Sequence, residues 1–126
     1  MADTNKKILV VDDSSTMRRI VRSSLNRLGY MDITEAGNGL EGLAKASEQK
    51  FDCVLTDWNM PEMDGLELTV KLREKPEYKD VPIVMVTTEG GKQDVLEALT
   101  KGTTSYIVKP FTPEVLKQKM DELFNR

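Results

Sequence analysis

Side chains able to do chemistry recur at one kind of place in this 126-residue chain, the residue after a short apolar run. Asp12 and Asp13 follow Ile8–Val11, and Asp57 follows Cys53–Thr56. Thr87 closes the run Ile83–Thr87 with Thr88 next, and Lys109 follows Tyr106–Val108. Singly, none is informative, since paired aspartates are usually surface charge or a helix cap. Brought together, they form a cluster of three carboxylates, hydroxyls and one ammonium. Three carboxylates in close proximity repel, and their pKa values rise unless a cation intervenes. An all-oxygen cluster without Cys or His selects a hard cation, and Mg²⁺ suits a few carboxylates completed by water and phosphate oxygens. Lys109 adds positive charge opposite the metal and Thr87 a hydroxyl donor. That set complements a phosphoryl group, whose charge spreads over its equatorial oxygens. Asp57 is then the natural nucleophile, because carboxylates carry phosphoryl groups as acyl phosphates.

Other phosphate and metal chemistries fail on spacing. Gly90-Gly91-Lys92 lacks the earlier glycine of a G-x-x-x-x-G-K-[ST] loop. The run from Asp57 to Gly65 superficially suggests a calcium loop, but its sixth position is Glu62 and its twelfth Leu68, which excludes an EF-hand. A haloacid-dehalogenase-like phosphatase would want a second acid where this chain has Asn59, together with a cap and more length. The single Cys53 lies in an apolar run and reads as a buried structural thiol; with no His, Cys/His zinc sites are excluded.

The elements that must position the cluster come from a repeated rhythm. Strand candidates at Ile8–Val11, Asp32–Glu35, Cys53–Thr56, Ile83–Thr87 and Tyr106–Val108 alternate with helical patterns. The first and fourth are almost continuously apolar, as in strands covered on both faces. The second is the most polar and is expected at an edge. Met17, Ile20, Val21, Ser24, Leu25 and Leu28 form one helical stripe, capped by Ser14 or Ser15 and ended by Gly29. Leu40, Leu43, Ala44 and Ser47 form another, opened by Asn38-Gly39. A third helix runs from about Leu66 to Arg73, before Pro76. The fourth carries Val95, Leu96 and Leu99 and stops at Gly102. The fifth starts with Thr112 as N-cap and Pro113 in its first turn, and buries Leu116, Met120 and Leu123. All these stripes are read as core. Alternation of this kind means an α/β domain, a (βα)5 doubly wound parallel sheet with right-handed crossovers. In such sheets the crevice lies at the carboxyl ends of the strands, where the acids and the lysine fall.

Composition agrees with one soluble globular domain: 39% hydrophobic, 31% charged, net charge −3. Nothing suggests general affinity for nucleic acid or anionic membrane. Arg18, Arg19 and Arg22, the densest basic run, read as a solvated helix face. The first residues lack the apolar segment of an export signal, and no stretch approaches a membrane span, so a reducing cytoplasm is expected.

The four segments V-V-D-D-S-S-T-M-R-R-I, T-D-W-N-M-P-E-M-D-G, V-M-V-T-T and Y-I-V-K-P-F-T occur in the order and positions of one family. From about Lys7 onward the chain resembles bacterial two-component response-regulator receiver domains, and among them the chemotaxis regulators of CheY type. The resemblance implies a flavodoxin-like sheet of strand order 2-1-3-4-5, a single receiver domain over residues 1–126 with no output domain, and a signalling switch rather than an enzyme. It implies Asp57 as phosphoacceptor, assisting its own phosphorylation and dephosphorylation. It further implies a Mg²⁺ site of Asp13, Asp57, Asp12 through water, and the Asn59 backbone carbonyl. Lys109 would pair with a phosphoryl oxygen, in a Lys109-Pro110 bond usually cis. Thr87 and Tyr106 would be the switch pair, and Asn59 and Glu89 sit where relatives tune hydrolysis. Implied partners are a CheA-like sensor histidine kinase, a FliM-like flagellar motor switch protein and a phosphatase, with the chain a monomer. Trp58, Asn59 and Met60, the Ser15–Arg19 segment and the Lys109–Thr112 segment carry the chemotaxis resemblance. Thr88 and Gly90-Gly91 depart from its commonest pattern. A phosphorelay intermediate or phosphate sink is the alternative role, and an inactive receiver-like interaction domain a further one.

Overall fold

The computed structural model describes residues 4–124; residues 1–3, part of the segment read for the lack of an export signal, lie outside the described residues. The alternation is realised as β1 (Lys7–Val11), α1 (Ser15–Arg27), β2 (Asp32–Ala36), α2 (Gly39–Glu48), β3 (Cys53–Thr56), α3 (Gly65–Arg73), β4 (Ile83–Thr87), α4 (Lys92–Thr100), β5 (Ser105–Val108) and α5 (Pro113–Phe124). A short 3-10 helix, Pro76–Tyr78, precedes β4. The five strands pair in parallel in the order β2-β1-β3-β4-β5. The chain turns to opposite sides of β1 for β2 and β3, so the switch point opens at their carboxyl ends.

Period-2 alternation divides the core between the two faces. Ile8, Val10, Leu55, Val84 and Ile107 pack against Val21 and Leu25 of α1 and Leu116 and Met120 of α5. Leu9, Val11, Val54 and Ile83 pack against Ala46 of α2 and Leu68 and Leu72 of α3. Four of the five helices start where a short polar side chain bonds a free backbone N–H, α4 starting instead at Gly91 without one. Ser14, Asn38 and Asp64 accept from Met17, Glu41 and Glu67 respectively, and Thr112 accepts from Val115. Gly29 and Gly102 follow α1 and α4 at φ 103° and 119°, a region glycine enters without a Cβ penalty.

Three helical stripes differ from the expected core. In α2 the buried positions are Gly39, Gly42 and Ala46, with Leu43 half-buried and Leu40, Ala44 and Ser47 exposed. The helix lies so close to the sheet that a Cβ on Gly42 would be 3.0 Å from Val11 Cγ2, so small residues face inward. In α4 only Ala98 is buried, and Leu96 and Leu99 are 51% and 43% exposed. In α1, Ile20 is 47% exposed, on the flank of a stripe whose centre is Val21 and Leu25. At the sheet margins, β5 is an edge strand as well as β2.

Two non-local anchors had no sequence signal. The Tyr78 hydroxyl donates towards Ala46 O and Gln49 O at 2.9 and 3.0 Å and accepts from Phe51 N–H at 3.1 Å. Arg73 fans out to the carbonyls of Gly102, Tyr78 and Val81 at 3.0, 2.7 and 2.7 Å. Among the described residues, no helix is long and apolar enough to cross a membrane.

Candidate functional site

Each chemically interesting backbone is the next rung beyond its strand. Asp12 N–H donates to Ala36 O at 3.1 Å, Asp57 N–H to Val11 O at 2.9 Å, and Lys109 N–H to Thr87 O at 2.8 Å. The ladder that aligns Val11 with Ala36 and Thr56 therefore sets Asp12 and Asp57 at the same level of the sheet. One carboxylate oxygen from each of Asp12, Asp13 and Asp57 lies within 4.8 Å of the others. Asp12 is buried and Asp13 exposed, so the cluster has a closed floor and an open mouth. Lys109 Nζ sits on it, 2.9 Å from Asp12 Oδ2 and 3.4 Å from Asp57 Oδ2, with its side chain 10% exposed. The Lys109-Pro110 bond is cis.

The remaining contacts aim the carboxylates. Asp12 Oδ1 accepts the Ser14 N–H at 2.9 Å, and Asp57 Oδ1 the Trp58 N–H at 2.7 Å. Burial pushes the Asp57 pKa up against the pull of Lys109; the Asp12 charge adds to the rise, while the Trp58 amide and Thr87 hydroxyl oppose it. A raised carboxylate beside two others is the electrostatic condition that a bound cation relieves. The donors are all oxygen and the cleft is open at Asp13, so the residues present fit a hard divalent cation with room for water and an anionic ligand.

The sequence-selected residues divide by how they join the cluster. Asp12, Asp13, Asp57 and Lys109 meet directly. Thr87 is fully buried; its Oγ1 accepts the Glu89 N–H at 3.3 Å. Tyr106, half-buried, donates its hydroxyl to the Glu89 carbonyl. Burial, with the charges of Asp94, Glu89 and Asp57, raises its pKa to about 12, so it is a neutral phenol donor across working pH. Asn59 is exposed, and its amide donates to Glu89 Oε1 at 3.0 Å, crossing from the β3–α3 loop to the β4–α4 loop. Thr88 is exposed.

The sequence did not reveal that Glu89 links Thr87, Tyr106 and Asn59 at once, mostly through its backbone. It also missed Arg18. The basic run is not simply a solvated face: Arg18 Nη1 donates to Asp12 O at 2.5 Å and Nε to Glu35 Oε1 at 3.0 Å, and Arg22 Nη1 donates to Glu35 Oε2 at 2.5 Å. Arg19 alone keeps the expected exposure within that run. The ties from Arg18 to Glu35 and from Glu89 to Asn59 and Tyr106 join residues distant in sequence, which no local pattern marks.

Comparison with known proteins gives a consistent result. Residues 8–121 match the family described as response regulator receiver domain. A chemotaxis protein CheY homolog of Campylobacter jejuni is 56% identical over 120 residues, covering 93% of this chain and 91% of the relative. Among solved structures, the chemotaxis response regulator CheY4 of Vibrio cholerae matches with a TM-score of 0.88 at 39% identity, over 95% of this chain and 99% of that one. A chain of the CheX–CheY–BeF3–Mg²⁺ complex from Borrelia burgdorferi matches with a TM-score of 0.88 at 28% identity, over 94% of this chain and 88% of that one.

Proposed function

The chain belongs to the response regulator receiver domain family of two-component signalling, and from that premise we propose that it is a single-domain chemotaxis switch phosphorylated on Asp57 with Mg²⁺. One observation carries the reading: at the switch point of the sheet, three carboxylates share a few ångströms with one buried ammonium, Lys109. Such a receiver is a signalling switch, not a classical enzyme. The Borrelia burgdorferi complex supports the cofactor and the chemistry, since it holds Mg²⁺ and BeF3, a phosphoryl mimic.

Asp13, Asp57, Asp12 through water and the Asn59 carbonyl would hold Mg²⁺, which supplies charge neutralisation to the incoming phosphoryl oxygens. An Asp57 carboxylate oxygen attacks phosphorus as the bond from phosphorus to the donor breaks, and the donor leaves with that electron pair. Lys109 moves its hydrogen bond from Asp12 to a phosphoryl oxygen. Thr87 turns its hydroxyl to another, and Tyr106 adjusts as the Glu89 backbone is released. Hydrolysis of the acyl phosphate resets the chain. The switch is thus a population shift between two arrangements of the Thr87–Glu89–Tyr106 set, biased by local charge.

A sensor histidine kinase is the expected donor. The output partner is a flagellar motor switch protein, consistent with 56% identity to a chemotaxis homolog. A phosphatase is the third expected partner, the chain acting as a monomer in the cytoplasm. The single-domain reading is supported by relatives whose own length is matched over 91% and 99%.

The direct test is intact mass after incubation with acetyl phosphate and Mg²⁺. The wild-type chain gains one phosphoryl group and Asp57→Asn gains none; equal gain in both would remove Asp57 from its role. A pull-down with the phosphorylated chain then distinguishes outputs. Recovery of a motor switch component supports chemotaxis, whereas recovery of a histidine phosphotransfer protein makes the chain a relay intermediate.

A further inference from the structure

Helix α2 contributes no side chain to the acidic cleft, yet its first residue meets the loop that leaves Asp57. The Gly39 N–H donates to Met63 O at 3.0 Å. A Cβ on Gly39 would lie 2.3 Å from that oxygen and 2.8 Å from Met63 Cβ and Cγ. Ordinary contact begins near 3.4 Å, so any side chain here would drive the loop away by about 1 Å. The start of α2 is itself fixed. Asn38 Oδ1 accepts the Glu41 N–H at 2.8 Å, and Glu41 Oε1 accepts the Gly37 N–H at 2.6 Å.

The loop has little freedom to absorb such a displacement. Met63 N–H bonds Pro61 O at 2.8 Å around Glu62, whose φ of 72° is disfavoured for a residue with a Cβ. At the α3 end, Gly65 N–H donates to Trp58 O at 2.8 Å, and a Cβ on Gly65 would be 2.0 Å from Asp57 O. At the β3 end, Trp58 N–H holds Asp57 Oδ1 at 2.7 Å. A continuous chain of close contacts therefore runs from α2 to the Asp57 carboxylate.

We infer that Gly39 is a positioning residue for Asp57: by admitting the Met63 carbonyl against the start of α2, it sets the loop that aims the carboxylate. The inference rests on the reading of Asp57 as the cation-binding phosphoacceptor for its functional consequence, but not for the placement itself.

The test compares Gly39→Ala with Gly29→Ala. Alanine at Gly29 strains a backbone of positive φ at the end of α1, away from the loop. Both variants lose thermal stability. Only Gly39→Ala speeds amide exchange at Trp58 and Gly65 in metal-free protein, and only it weakens MgCl2 binding, about tenfold, in a Trp58 fluorescence titration. Exchange at those two amides no faster than in Gly29→Ala overturns the proposal, as does equal loss of Mg²⁺ affinity in both variants. If the wild-type chain gives no Mg²⁺ response, the reading of Asp57 falls, and the exchange comparison alone decides the placing role of Gly39. Should Gly39→Ala fail to fold, Asn38→Ala frays the start of α2 without adding an atom there. It should speed exchange at the same two amides, and unchanged exchange overturns the inference.

Discussion

Burial raises the pKa of Asp57, the Asp12 charge raises it further, and Lys109, the Trp58 amide and Thr87 do not cancel the rise. A carboxyl whose folded pKa exceeds its unfolded value binds its proton more tightly when folded. Its contribution to stability is fully present below the unfolded value and is lost as pH rises through the folded one. In metal-free protein, Asp57→Asn should therefore differ little from wild type in acid and become the more stable as pH climbs through that window. At neutral pH the gain is about 1 kcal/mol, the scale of one relieved charge contact. Urea unfolding in EDTA at a series of pH values measures it, and a difference that does not vary with pH would remove charge as the cause. On the proposed function Mg²⁺ should reverse the ranking, because it would bind the ionised form. At a hundred times its dissociation constant it stabilises wild type by about 2.7 kcal/mol and leaves Asp57→Asn unmoved. The identity of this residue was legible in the sequence; its raised pKa was not, since that depends on burial and on Asp12 brought alongside by the sheet.

Helix α1 meets β2 through Glu35, which Arg18 and Arg22 grip at 3.0 and 2.5 Å. Desolvation acts to raise the Glu35 pKa, but the hydrogen bonds and charges of Arg22 and Arg18 outweigh it and hold the carboxyl below its ordinary value. The sign is opposite to that of Asp57: this stability is present above the unfolded pKa and is lost as pH falls through the folded one. Glu35→Gln should cost about 1 kcal/mol at neutral pH and almost nothing in strong acid, read from denaturation midpoints. Because Arg18 also holds Asp12 O, the variant should raise amide exchange at Asp12, Asp13 and Ser14; unchanged exchange would mean that the brace ends at β2. Element type and order were legible because long apolar runs and three-and-four stripes are local patterns. Facing was less legible. Hydrophobicity points to Leu40 and Leu96, while close packing selects Gly42, Ala46 and Ala98, which carry almost no periodic signal. The Arg18–Glu35 pair lies seventeen residues apart, and nothing local marks it.

The convergence of Asp12, Asp13, Asp57 and Lys109 was legible because parallel strands all end on one edge, so a residue just after a strand has a known destination. Ties that cross between loops were not, since Gly39 to Met63 and Asn59 to Glu89 depend on how far each loop reaches. Whether the cleft and the core act as one cooperative unit can be read from Cys53. Its thiol is fully buried on the central strand, next to Ile8 of β1, and burial, with Asp52 nearby, lifts its pKa to about 12. Reaction with iodoacetamide at mild pH therefore requires opening that exposes β3 and restores an ordinary thiol. With about 5 kcal/mol of global stability, alkylation should run roughly four orders of magnitude slower than in the unfolded chain. If that opening is global, Mg²⁺ bound at Asp57 should slow it by the factor it adds to the folding equilibrium, about a hundredfold at a hundred times its dissociation constant. Asp57→Asn should abolish the protection without changing the reactivity of the unfolded thiol. A rate indifferent to Mg²⁺ in wild type that does bind the ion would instead mean that β3 opens locally while the cleft stays formed, separating the switch from the core that carries it.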